Sequence, residues 1–206
     1  MTAFALVAAA ILIVLAYLLG SVPFSFLVAR ARGVDLRTVG SGNIGGANVW
    51  RAAGFGPFLV AVTLDMLKGV LPTLAAIYWA ELPPVPVVLV GAAAIFGHTF
   101  PLFLRFRGGK AVATSGGVLL ALVPLLVLAG LVAWVVGFAA TRMSSVGSLT
   151  AVVVVLLIGT GLFFDGYLPL AYAVFIWCAV GVIVYLHRGN IQRLRAGREN
   201  RFEKLF

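Results

Sequence analysis

Residues 111–140 are 30 consecutive positions without a charged side chain. The surface helix of a water-soluble domain cannot look like this, because its apolar stripe must alternate with polar positions. A bilayer accepts such a run, since about 20 apolar residues cross its hydrocarbon core. Five more stretches of similar character occupy residues 4–29, 54–79, 87–104, 149–164 and 168–186. The whole chain is 63% hydrophobic and 10% charged, with a mean hydropathy of +1.14. These features predict an all-α integral membrane protein, in which each helix satisfies its own backbone hydrogen bonds within lipid. The opening MTAFALVAAA lacks the positive region of a signal peptide, so the first apolar stretch is expected to be a retained span.

Charge sets the expected topology. The chain carries 15 Lys and Arg against 6 Asp and Glu. Apart from Lys68, every basic residue lies in residues 30–51, in residues 105–110, at Arg142, or from Arg188 onward. Glu81 and Asp165 sit in the short connections, which hold no Lys or Arg. If the basic segments share the cytoplasmic side, the chain crosses an even number of times between Lys110 and Arg142. A single long helix over 111–140 would put the tail's basic residues outside. Two short or half-buried helices are therefore predicted around 111–140, with Gly116, Gly117 and Pro124 permitting the break. The expectation is a seven-helix transmembrane bundle, N-terminus outside and C-terminus cytoplasmic, forming one domain over residues 1–206. In a membrane protein the formal charge of +9 marks the inner face and does not require nucleic acid. Cys178 stands alone, which rules out a disulfide or a thiolate metal site within one chain.

On that topology four polar clusters share one face. Residues 40–51, GSGNIGGANVWR, combine flexible glycines with Ser41, Asn43, Asn48 and the fork of Arg51. Glycines at 40, 42, 45 and 46 allow positive φ and bring N–H groups close to an anion. Residues 108–114, GGKAVAT, put Gly108, Gly109 and Lys110 before an apolar helix, so a helix N-terminus and an ammonium can face the same anion. This is not a Walker A loop, which needs an outer glycine and a hydroxyl after the lysine. Ser144, Ser145 and Ser148 form the third cluster and read as helix caps or ligand donors, the cap being the expectation for any one alone. His187, Arg188 and Asn190 form the fourth. The tail beyond, RLRAGRENRFEKLF, is expected to be an amphipathic or disordered segment on anionic lipid.

Asp65 and Lys68 lie three apart on one helix face, and burial in lipid requires them to point into the bundle, as a structural ion pair or as part of the site. His98 is expected to hydrogen-bond the nearby glycine–lysine loop. The two distant histidines and scattered carboxylates give no metal-ligand spacing. Neither histidine heads an HxxxxD motif, since Phe103 and Gln192 occupy the fifth positions.

In order, the motifs GSVPFSFLVAR, DLRTVGSGNIGGANVWR, DMLKG, GHTFPLFLRFRGGKAVAT, the serine cluster and HRGNIQRL cover most of the chain. Together they resemble the acyl-phosphate:glycerol-3-phosphate acyltransferase family, the PlsY enzymes of bacterial membranes. The resemblance implies a multi-pass protein of the bacterial inner membrane with a cytoplasmic site. It implies transfer of a fatty acyl group from acyl phosphate to the 1-hydroxyl of glycerol 3-phosphate, giving lysophosphatidate for phospholipid synthesis. By motif, the implied catalytic residues are Ser41, Arg51, Lys110, His187 and Asn190, with Gly40, Gly42, Asn43, Gly45, Asn48, Gly108, Gly109 and Ser148 binding substrate. No cofactor, metal or obligatory protein partner is implied, because acyl phosphate arrives activated. The base is left between His187 and the donor's phosphate. Against the family's usual GSGNPGATN and GGKGVAT, this chain has Ile44, Gly46, Ala47 and Ala111. The rival class is a transporter or exchanger of organic phosphates, which would also gather cations at helix breaks. One-sided clustering of the polar residues argues against it.

Overall fold

A computed structural model describes residues 2–203, and among them every regular element is helical. The chain forms two compact units that divide between Leu122 and Val123.

The first unit begins with α1, Ala3–Ser21, whose N-terminus is capped by the Thr2 hydroxyl accepting from Ala5 N at 3.2 Å. Pro23 has no N–H to continue the ladder, so the chain breaks at Val22 and resumes as α2, Phe24–Arg30. A loop leads to α3, Gly46–Ala53, and Gly54 at φ 93° turns the chain directly into α4, Phe55–Leu74. Buried Pro72 interrupts α4, which ends as a π-helical turn, Ala75–Trp79. Pro83 and Pro84 start α5, Pro84–Thr99, and a 3₁₀ turn, Leu102–Leu104, follows it. The unit closes with α6, Val112–Leu122.

Two helix crossings in this unit are made without intervening side chains. Between α1 and α5, a Cβ on Gly20 would overlap the Ala94 carbonyl, and one on Gly97 would overlap the Tyr17 carbonyl. Between α4 and α6, Gly69 lies against the Thr114 carbonyl and Gly117 against that of Met66. Small residues at such contacts let backbones approach where lipid supplies no hydrophobic drive for helices to associate. Ala16 and Ala94 complete the α1–α5 seam, each fully buried. A second cluster packs Ala29, Leu36, Ile44, Val49 and Ala61 beneath the loop before α3.

The second unit holds α7, Pro124–Thr141; α8, Ser144–Phe164; α9, Leu170–Leu186; and α10, Arg188–Arg195. Glycines again set the seams, with Gly130 against Val155 and Gly159 against Ile176.

Among the described residues five segments are long and apolar enough to cross a membrane: Ala3–Arg30, Phe55–Trp79, Pro84–Leu104, Pro124–Thr141 and Ser144–Phe164. The pair α9 and α10, bent by 55°, makes a sixth if taken as one span. The apolar run 111–140 does divide, but its break falls at Val123–Pro124 and not at the glycines. Pro124 takes the first helical position, where its missing N–H costs nothing. Gly116 and Gly117 are interior to α6, and only α6 is short. Its 11 residues extend roughly 16 Å, about half the hydrocarbon thickness. The following α7 has 18 residues. Tyr78 and Trp79 after α4, and Phe164 and Tyr167 after α8, are strongly exposed, as aromatic anchors at a membrane interface are.

Candidate active site

The loop into α3 is shaped from within by Asn48. This side chain, 1% exposed, donates from Nδ2 to the carbonyls of Leu36 and Val39, both at 3.1 Å, and accepts from Ser41 N at 3.2 Å. Its amide hydrogens are thereby committed to the loop's own backbone, so Asn48 contributes shape. Gly40 and Gly42 have φ of 56° and 69°, and a Cβ on Gly40 would overlap Asn48 Oδ1. The result is a tight coil that exposes the Ser41 hydroxyl and leads through Gly45 to the N-terminus of α3. Arg51, half-buried, follows Asn48 by three positions on the same helix. Trp50 stacks on Phe58 at 4.8 Å and pins α3 to α4. Ile44, one of the departures from the motif this loop resembles, buries its side chain in the cluster below the loop. At Gly46, another departure, a Cβ would lie 2.6 Å from Val62 Cγ2.

Beside this coil, Asp35 accepts from Arg37 Nε at 2.9 Å and from Arg37 N at 3.0 Å. Those bonds, the side-chain one foremost, hold its carboxyl down to about 2, and the carboxylate in turn raises the Arg37 guanidinium above its ordinary value. A carboxyl lowered in the folded state loses this support only as pH falls toward that value, so the pair is intact at neutral pH.

The second loop is strung on the end of α5. Gly108 N donates to Thr99 O and Gly109 N to His98 O, each at 3.1 Å. Arg105 and Phe106 are left-handed, with φ of 52° and 62°, which folds the chain back on itself. A Cβ on Gly108 would overlap the carbonyls of both His98 and Thr99, and one on Gly109 would overlap the His98 imidazole. Lys110 is half-buried and precedes α6. Ala111, where the family has glycine, takes φ 56° while 1% exposed. That conformation costs an alanine about 1 kcal/mol. A cavity of about 10 Å³, the room of one water, lies beside Ile44 of the first loop and is lined by Asp65, Lys68, His98 and Pro101 among others.

In the second unit, α8 is preceded by Met143 as its cap residue, so the serines are not caps. Ser144, Ser145 and Ser148 lie inside the first turns, all buried. His187 occupies the bend between α9 and α10, 3% exposed. Its Nδ1 is 2.8 Å from Ile183 O, and since a carbonyl can only accept, Nδ1 carries the proton. In the neutral ring Nε2 is then the basic nitrogen. Asn190, 7% exposed, sits one turn further on.

The tail keeps Arg195, Arg198 and Arg201 on the surface, as expected of an amphipathic segment, but Glu199 and Phe202 are buried and tie it down. Glu199, 7% exposed, accepts from Asn190 Nδ2 at 2.7 Å, Ser145 Oγ at 3.0 Å and Arg193 Nε at 2.9 Å. Phe202 N donates to Arg142 O at 2.9 Å, and its ring meets Phe138 edge-on at 5.3 Å. A carboxylate with three donors and a buried aromatic ring hold the segment down. The last residues of the tail, 204–206, lie outside the described residues. Glu199 is the residue that motif reading passes over. Its only signal is an acid among arginines.

The site residues are thus held in two groups. Ser41, Asn43, Asn48, Arg51 and the Gly108–Gly109–Lys110 loop belong to the first unit, and Ser148, His187 and Asn190 to the second. Glycine-rich loops bearing an arginine and a lysine, carried on membrane-length helices, fit the class of an integral membrane enzyme handling phosphorylated substrates. Residues 10–197 match the family described as glycerol-3-phosphate acyltransferase, and the chain belongs to that family. It is 60% identical over 97% of its length, and 98% of the relative's, to the glycerol-3-phosphate acyltransferase of Roseiflexus sp. (strain RS-1). Two crystal structures of PlsY (YgiH), an integral membrane glycerol 3-phosphate acyltransferase, are similar in fold. The glycerol 3-phosphate form matches with a TM-score of 0.87 at 40% identity, covering 96% of both chains. The lysophosphatidic acid form matches with 0.85 at 38%, again over 96% of both.

Proposed function

We propose that this protein transfers a fatty acyl group from acyl phosphate to the 1-hydroxyl of glycerol 3-phosphate, releasing lysophosphatidate and phosphate. The observation that carries the reading is the likeness, over 96% of both chains, to an enzyme solved with glycerol 3-phosphate and with lysophosphatidic acid. The acceptor hydroxyl oxygen attacks the acyl carbonyl carbon, the bond from that carbon to the phosphate oxygen breaks, and the hydroxyl proton passes to a base. Because the donor is activated, the protein's task is to clamp two phosphates, align the hydroxyl and stabilise the departing charge.

The coil over residues 40–48 holds the acyl phosphate, with Ser41 and the α3 N-terminus toward the phosphate and Asn48 keeping the coil in shape. Arg51, Lys110, Ser148, His187 and Asn190 hold glycerol 3-phosphate. The base is His187 Nε2 or an oxygen of the donor phosphate. Seven crossings are formed by α1–α2, α4, α5, α6, α7, α8 and α9, with the N-terminus outside, the C-terminus inside and the site on the cytoplasmic face of a bacterial inner membrane. The grouping of basic residues supports that orientation.

The test is purified protein in detergent, supplied with acyl phosphate and glycerol 3-phosphate and followed for phosphate release and lysophosphatidate. Absence of both products rejects the reading. In this assay Arg51→Lys is expected to lose activity at least about tenfold, because a point charge replaces a two-pronged donor. Wild-type turnover there would remove Arg51 from the clamp. His187→Ala separates the two bases: a fall in kcat of about 10²-fold or more at saturation assigns the proton to His187, and an intact kcat with raised KM assigns it to the donor phosphate.

A further inference from the structure

Lys68 is the largest fully buried side chain among the described residues. Its Nζ lies 2.9 Å from Asp65 Oδ1 and donates to the Val22 carbonyl, freed by the break between α1 and α2, at 3.0 Å. The other Asp65 oxygen accepts from Ser25 Oγ at 2.6 Å. On the far side of Asp65 stands His98, with Nδ1 3.7 Å from Oδ1 and 3.2 Å from Thr114 Oγ1. Asp65 and Lys68 are each 2% exposed, His98 7% and Thr114 fully buried. The opposite edge of the imidazole, Nε2, abuts Gly109, and the His98 and Thr99 carbonyls take the loop's two glycine N–H groups.

An ion pair is a poor way to glue helices in a dry interior, because desolvating two charges cancels most of their attraction and an apolar pair of similar size is often as stable. The form of this pair has another explanation in what it touches. We propose that Asp65 is a positioning residue for the Gly108–Gly109–Lys110 loop. Lys68 and Ser25 fix its carboxylate, whose charge stands 3.7 Å from His98 Nδ1, Thr114 Oγ1 at 3.2 Å holds the ring by a hydrogen bond, and the ring sets the face on which Gly109 lies. Side chains from α2, α4, α5 and α6 thereby join in one buried chain of contacts that ends at Gly109. This assignment rests on the proposed function in taking glycerol 3-phosphate as the ligand that Lys110 meets.

The test compares wild type with Asp65→Asn/Lys68→Met, which removes both charges together at similar size and so avoids stranding one of them. The expected result is a KM for glycerol 3-phosphate raised by about tenfold, with the KM for acyl phosphate unchanged. Amide hydrogen exchange over residues 105–111 is expected to quicken while α4 and α5 keep their protection. Wild-type KM together with wild-type exchange in a folded double variant overturns the proposal and leaves the pair a structural contact. Should the double variant not fold, His98→Asn keeps a polar atom near the Nδ1 position and removes Nε2. It must then show the same KM shift and the same exchange, and wild-type values there overturn the proposal as well. If wild type itself makes no lysophosphatidate, the functional reading fails, and the exchange measurement still decides whether Asp65 holds the loop.

Discussion

Gly108→Ala is expected to raise the KM for glycerol 3-phosphate by tenfold or more, and Gly116→Ala, eight positions along, to leave it unchanged. The contrast follows from what a Cβ meets. At Gly108 it overlaps two backbone carbonyl oxygens and comes within 2.6 Å of Pro101 Cδ, and none of these can rotate away. The loop must move, and its hydrogen bond from Gly108 N to Thr99 O goes with it. Displacement by about 1 Å is enough to misalign a phosphate clamp. At Gly116 nothing lies within 4 Å, so alanine enters open space. There the helix gains up to about 1 kcal/mol from alanine's better propensity. Steady-state kinetics against both substrates, with a thermal melt in detergent, measures the pair. Equal behaviour of the two variants would mean that the loop yields at Gly108, and the strung-loop geometry would be wrong.

Glu199→Gln is expected to be the most destabilising conservative change in the second unit. The carboxylate accepts from Asn190, Ser145 and Arg193, and all three are donors. A glutamine of the same shape must turn its own amide hydrogens toward one of them. Losing charge-assisted bonds in a buried place costs about 1.5–3 kcal/mol each. The Arg193 side chain is 40% exposed, so its share is discounted for solvent screening. About 3 kcal/mol in total would lower Tm by roughly 6–12 °C. Activity measured well below that Tm should also fall, since the oxygen that orients Asn190 no longer carries a carboxylate's charge. A variant with wild-type Tm and turnover would show that the tail's fold-back does not support the site.

Much of this was legible in the residues, for reasons that particular positions make plain. Apolar run length gave the membrane class, and Pro124 stood where the long run divides because a ring without an N–H leaves few choices. Placement of His98 near the glycine–lysine loop was also readable, although the bond to the loop runs from Gly109 N to the His98 backbone carbonyl and not to the ring. What could not be read is what side chains meet far along the chain. Gly116 and Gly117 are indistinguishable as letters, yet only Gly117 touches a neighbouring backbone. Asn48 offers donors to an anion on paper and has given them to Leu36 and Val39. The tail looks like a basic lipid-binding segment because nothing nearby announces that Phe202 packs on Phe138.

The glycine crossings described above make sliding of these helices a discrete affair. Moving α6 one way along α4 would bring Val118 to the spot now touching Met66 O, where a valine does not fit. The same holds for α5 at Gly97 against α1. The loop that carries Lys110 is therefore moored at both ends to helices whose register these glycine contacts restrict. Under the proposed assignment, the Lys110 cation then meets glycerol 3-phosphate from a position set by the helices and not by the ligand.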